Sequence, residues 1–315
     1  MLFPTFVFAL VWSLFLASAS PITRRAPLTL AVHDNSLISA VTALSATDIS
    51  DLVPLTQLAR AAYCDPKSVQ DWTCGAACEA VPGFQTTLTG GDGNAVQFFF
   101  VGYWADANTV VVSHQGTDPL ALMAILTNLD LLRDPLDPVL FSGAPAGATA
   151  HSGFQEQHAM TAMPILEEVK RLLAATGSRS VTLIGHSLGG ALAELDCLFL
   201  ALNLPENIAI KGVTFGTPRV GDDEFAAFFD AVIPDFQRVN NKSDLVPIIP
   251  GRGLGYVHPK GELHLLDGDR AVQCPGNDND NEEDCQIQTV PNLLFGNLLD
   301  HLVFNGIPIG SIFCF

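Results

Sequence analysis

Short apolar, β-branched runs alternate with longer helix-forming runs through most of the chain. Period and length predict a helix over Ser50–Tyr63 with Pro54 near its start, then strands over Val96–Tyr103 and Thr109–His114. A long helix over Gln155–Ala174 follows, then a strand at Ser180–Ile184 and a helix at Ala191–Leu202. A strand at Ile208–Phe215, a helix at Asp222–Ala231 and a strand at Phe236–Asn240 complete the series. Gly255–His264 reads as a hairpin. Strands alternating with helices imply an α/β fold whose mostly parallel central sheet is covered by helices on both faces. No internal repeat, low-complexity linker or second core interrupts the pattern.

A separate stripe begins at Asp118-Pro119, a good cap and first-turn pair. Leu122, Ile125, Leu126 and Leu129 then recur at helical spacing, with Leu120 and Met123 widening the apolar face. Taken alone, this composition suits a core helix better than a mobile cover.

The composition permits a large core: of 315 residues, 48% are hydrophobic and 15% charged. A formal net charge of −18 argues against nucleic acid and anionic membrane as partners, since both recruit Lys and Arg. Residues 1–19 are apolar and uncharged and end in Ala17-Ser18-Ala19, the small-residue pattern of a cleaved signal peptide. An uncleaved anchor is the rival reading, although Pro4 suits it less well. Arg24-Arg25 then marks the end of a short propeptide at 20–25, leaving 26–315 as one domain with no later transmembrane stretch. The seven cysteines suit an exported chain with three disulfides and one thiol left over. Cys197, inside an apolar helix, is the natural odd one. The acidic run Asn277–Asp284 lacks the glycine and terminal glutamate of an EF-hand and reads as a solvated loop.

The chemistry concentrates at Gly185-His186-Ser187-Leu188-Gly189, between a predicted strand and a predicted helix. In that context G-x-S-x-G is a nucleophile elbow, a strained turn that lifts the serine oxygen out of the sheet. Such a serine needs a histidine base and a carboxylate, which follow it in the order Ser, Asp or Glu, His. Asp244 lies just past a strand, at the edge where α/β sheets gather their sites, whereas Asp196, Asp222 and Asp223 fall within or at the start of helices. Three histidines follow, His258, His264 and His301, and spacing does not choose among them. Asn241-Lys242-Ser243 is a glycosylation sequon three residues before Asp244.

Seven short motifs, in order, resemble the fungal class 3 lipases, secreted α/β-hydrolases that include triacylglycerol lipases and feruloyl esterases. They are Ala61-Ala62-Tyr63-Cys64, His114-Gln115-Gly116-Thr117, His151-Ser152-Gly153-Phe154, the elbow, Phe215-Gly216-Thr217-Pro218-Arg219-Val220-Gly221, Asp244-Leu245-Val246-Pro247 and Asp300-His301. The resemblance implies a triad of Ser187, Asp244 and His301, with oxyanion donors at Leu188 and Thr117. It implies disulfides pairing Cys64 with Cys314, Cys74 with Cys78 and Cys274 with Cys285. It makes the 119–130 stripe a lid, carrying Leu120, Leu122, Met123, Ile125, Leu126 and Leu129, that opens at a lipid–water interface. No cofactor or metal is implied, and the substrate would be an acylglycerol, with feruloyl or short-chain esters as the alternative and an inactive binding protein as a remote one. Gln115 departs from the arginine that many relatives carry, which leaves open what supports that loop.

Overall fold

The computed structural model describes residues 40–117, 132–268 and 270–314. Its strands are β1 (Thr42–Ala43), β2 (Phe84–Gly90), β3 (Phe99–Trp104), β4 (Thr109–His114), β5 (Arg133–Pro135), β6 (Thr149–His151), β7 (Ser180–His186), β8 (Ala209–Phe215), β9 (Asp235–Asn241), β10 (Glu262–Leu265), β11 (Ala271–Gln273), β12 (Val303–Phe304) and β13 (Ile307–Pro308). Nine of them form one sheet in the order β1-β11-β10-β9-β8-β7-β4-β3-β2. The centre, from β4 through β7, β8 and β9 to β10, is parallel. Both flanks are antiparallel, so the sheet is parallel where βα crossovers build it and mixed as a whole.

Alternation along β4 shows why the sheet is covered twice. Val110 and Val112 enter a core shared with the helices Ser152–Thr176 and Leu188–Asn203, while Val111 enters a second core on the opposite face. That second face is covered by the helix Ala46–Ala61. Each fully buried Val or Leu contributes about 1.5–3 kcal/mol relative to exposure.

Two expectations change in detail. The first helix begins at Ala46, because Ser45 and Asp48 form a reciprocal capping box ahead of the predicted start, and Pro54 therefore sits in mid-helix. The segment Gly255–His264 is not a hairpin. Only Glu262–Leu265 is strand, and it pairs in parallel with β9 and antiparallel with β11 further along the chain.

The acidic run is also only partly solvated. Asp278 turns inward onto Arg219, at 2.9 Å, with the two side chains 8% and 1% exposed. Arg219 also donates to the carbonyls of Ile248 and Pro250, so the pair ties three loops together. Burial raises the Asp278 carboxyl, but the neighbouring His258 and the hydrogen-bonded, charged Arg219 guanidinium outweigh this and hold it well below its ordinary value.

Candidate active site

Three parallel strands deliver chain to one edge of the sheet: β4 runs into Gln115–Thr117, β7 into Ser187, and β9 into the turn bearing Asp244. Ser187 has φ 59 and ψ −128, a left-handed backbone that a non-glycine residue adopts only under strain. The turn closes because Gly185 and Gly189 have no side chains: a Cβ on Gly185 would lie 2.0 Å from the Gly189 carbonyl oxygen. The Ser187 N–H donates to Phe215 O at 2.9 Å, anchoring the elbow to β8.

Of the three histidines, His301 meets the carboxylate. Its Nδ1 lies 2.8 Å from Asp244 Oδ2, with both side chains buried. Its Nε2, also buried, has no hydrogen-bond partner among the described residues. Asp244 Oδ1 is taken by the N–H of Val246, at 2.9 Å, which leaves Oδ2 facing the imidazole. His258 gives its Nε2 to Pro247 O, and both nitrogens of His264 face carbonyls, of Asp284 and Lys242. Each of these two rings is thus held by local backbone.

His301 stands in a short 3-10 turn, Leu298–Leu302, and long-range bonds hold that turn in place. Asn241 Nδ2 donates to Asp300 O, the Ser243 N–H donates to the Asp300 carboxylate, and the Asn297 N–H donates to Ser243 O. The sequon asparagine is therefore buried and engaged. From the other side His186 Nε2 meets His301 O at 2.8 Å, and the two rings lie 4.4 Å apart. A carbonyl only accepts, so His186 carries its proton on Nε2, and Nδ1 accepts from Tyr63 OH at 2.6 Å. Burial, and secondarily the neighbouring His301, push the His186 pKa well below its ordinary value, so this imidazole stays neutral.

The loop after β4 lies against the elbow. A Cβ on Gly116 would sit 2.9 Å from Ser187 Cβ and 2.4 Å from His186 O. Gln115 accepts the Phe98 N–H through Oε1, while its own N–H donates to Phe98 O, so side chain and backbone together secure the loop to the residue just before β3. Thr117 is buried, and its Oγ1 has no partner among the described residues. Leu188 opens the helix that follows the serine. The residues expected to form a lid, Leu120, Leu122, Met123, Ile125, Leu126 and Leu129, lie outside the described residues.

Disulfides join Cys64 to Cys314, Cys74 to Cys78 and Cys274 to Cys285, and Cys197 is buried and free. The first closes the C-terminal segment onto the helix Ala46–Ala61, where Arg60 also grips Phe313 O. The third delivers Gln286, whose Nε2 donates to Asp244 O at 2.7 Å. Cys274 and Cys285 lie close to Glu262, but as a disulfide they offer no thiolate to a metal.

The class 3 lipase family profile matches residues 111–254. A secreted mono- and diacylglycerol lipase of Malassezia globosa is 30% identical over 261 residues, 79% of each chain. The chain belongs to the class 3 lipase family. A second secreted mono- and diacylglycerol lipase of that organism is 36% identical over 178 residues, 56% of this chain and 58% of the relative's length. Among solved structures, lipase II of Rhizopus niveus superimposes with a TM-score of 0.76 at 26% identity, covering 86% of this chain and 99% of that one. As a class 3 lipase the chain has the α/β-hydrolase fold, with antiparallel strands on both sides of its parallel centre.

Some buried ionisable groups escaped sequence reasoning. Asp196, set aside as a helix residue, lies buried between His114 at 2.7 Å and His158 at 2.9 Å. Burial raises its pKa, but hydrogen bonds from both imidazoles outweigh this and bring it down to about 2. Glu194, two residues earlier in the same helix, is fully buried with neither oxygen bonded among the described residues, and burial raises its pKa well above the ordinary value. The available signal was two acids in an otherwise apolar helix.

Proposed function

We propose that this class 3 lipase is a secreted serine hydrolase that cleaves acylglycerol esters through Ser187, His301 and Asp244. The observation that carries this reading is the Asp244–His301 bond, which fixes Nδ1 and leaves the buried Nε2 to receive a proton from a serine held on a strained elbow. Ser187 Oγ attacks the ester carbonyl carbon as His301 Nε2 takes its proton. Asp244 orients the ring and stabilises the imidazolium. The imidazolium returns the proton to the leaving alcohol, and water then releases the acid from the acyl-enzyme by the same route.

The backbone N–H groups of Leu188 and Thr117, with the Thr117 hydroxyl, receive the developing oxyanion; one such donor is worth about 2.7–4 kcal/mol. Leu188 adds the favourable end of the helix dipole. The apolar stripe in the sequence of 119–130 supports a lid role, so turnover should rise once an oil–water interface forms. Secretion is supported by the signal-like start at 1–19, the dibasic end of a propeptide at 20–25 and three disulfides in the domain that follows. Among the described residues no helix is long and apolar enough to cross a membrane.

Hydrolysis rates across triacylglycerols of increasing chain length, with methyl ferulate alongside, test the substrate class. The proposal expects turnover of emulsified long-chain glycerides that rises once an interface forms, and near-complete loss in Ser187→Ala with the fold retained. A clear preference for methyl ferulate would assign the chain to the esterase branch of the same fold.

A further inference from the structure

The two proposed oxyanion donors sit on different elements, Thr117 after β4 and Leu188 at the start of the elbow helix, so their spacing depends on how those elements are joined. Two of the contacts that join them involve His114, the last residue of β4. At the first turn of the helix the backbones nearly touch: a Cβ on Gly189 would lie 2.3 Å from His114 O and 2.7 Å from the Gln115 carbonyl carbon. Seven residues later, two turns along the same face, Asp196 takes the His114 imidazole through Oδ2 at 2.7 Å. Its other oxygen takes His158, from the helix Ser152–Thr176, at 2.9 Å. None of the three side chains is more than 1% exposed, and the Nδ1 atoms of both rings have no partner among the described residues. Nothing in the proposed reaction consumes this carboxylate, and its burial is costly unless the fixed geometry is of use.

We propose that Asp196 is a positioning residue for the oxyanion hole, holding the strand that bears Thr117 at a set distance from the helix that bears Leu188 through its bond to His114. The inference rests on the catalytic reading above. His158 completes the carboxylate's coordination from a third element but bears on neither donor, so it serves as the internal comparison.

The test uses a soluble ester, p-nitrophenyl butyrate, well below the melting temperature of each variant, together with a trifluoromethyl ketone whose serine adduct places an oxyanion in the hole. Asp196→Asn and His114→Gln should each lower kcat by about tenfold and weaken the ketone by a similar factor, with KM changed by less than about twofold. His158→Gln should cost thermal stability yet keep kcat and ketone affinity within about twofold. Wild-type kcat and ketone affinity in folded Asp196→Asn or His114→Gln would overturn the proposal, as would an equal kinetic loss in His158→Gln. If Asp196→Asn fails to fold, His114→Gln decides. Ser187→Ala separates the two levels: activity retained there would remove the catalytic reading itself, whereas a dead Ser187→Ala beside a wild-type Asp196→Asn would remove this inference alone.

Discussion

Gly216→Ala places a methyl group directly on the Asp244–His301 bond. The added Cβ would lie 2.6 Å from Asp244 Oδ2 and 2.7 Å from His301 Nδ1, where ordinary contact needs about 3.5 Å. The pair must therefore retreat by about 0.8 Å or part. Gly216 also has φ +54, so alanine there adds about 1–2 kcal/mol of left-handed backbone cost. If the charge-assisted bond is lost as well, another 1.5–3 kcal/mol goes with it, roughly. Stability should then fall by about 2–5 kcal/mol, and kcat by about 10²-fold, the scale of a 1 Å misplacement. Gly177→Ala isolates the backbone part: Gly177 caps a helix at φ +72 with open space around its Cβ position, so it should lose about 1–2 kcal/mol and no activity. Urea unfolding gives the stabilities, and p-nitrophenyl butyrate hydrolysis, normalised to sites titrated with a phosphonate, gives kcat. A Gly216→Ala protein that is destabilised like Gly177→Ala yet turns over at the wild-type rate would refute the placement of the pair against this glycine.

Other consequences can be checked separately. Glu194 has its pKa raised by burial, so the native state keeps a proton that the unfolded chain loses above about 4.5, and stability falls as pH rises from there towards the native pKa. Glu194→Gln should remove that slope, at most about 1.4 kcal/mol per pH unit; a difference in unfolding free energy from wild type that stays constant between pH 5.5 and 7.5 would contradict it. Asn241 spends its amide on Asp300 O, so mass spectrometry of secreted protein should find the sequon unmodified, and Asn241→Ala should lower kcat by loosening the turn that carries His301. Replacing Cys64 and Cys314 by serine should cost about 2–5 kcal/mol, because the bond closes a separation of 250 residues, and activity should fail at a lower temperature than the loss of helical signal.

Local signals account for what the chain discloses directly. Thr109–His114 keeps its predicted bounds because a β-branched run is bracketed by a tight turn and a Gly-containing loop. The elbow is legible because strand, glycines, serine and helix are contiguous. The helix over Ala46–Ala61 starts ahead of Ser50 because the Ser45–Asp48 capping box, and not Pro54, sets its first turn. The choice among His258, His264 and His301 depends on which carbonyls and carboxylates lie nearby in space, which no local pattern encodes. The same holds for Asp196, whose partners are 38 and 82 residues away.

The most direct test of the catalytic centre is peptide mapping after inactivation by a p-nitrophenyl phosphonate, in wild type and in His301→Ala. The account predicts one phosphonyl group per wild-type chain, on Ser187, released with stoichiometric p-nitrophenol, and labelling slowed by several orders of magnitude without His301. A label on another residue, or labelling of Ser187 at the same rate in folded His301→Ala, would contradict it.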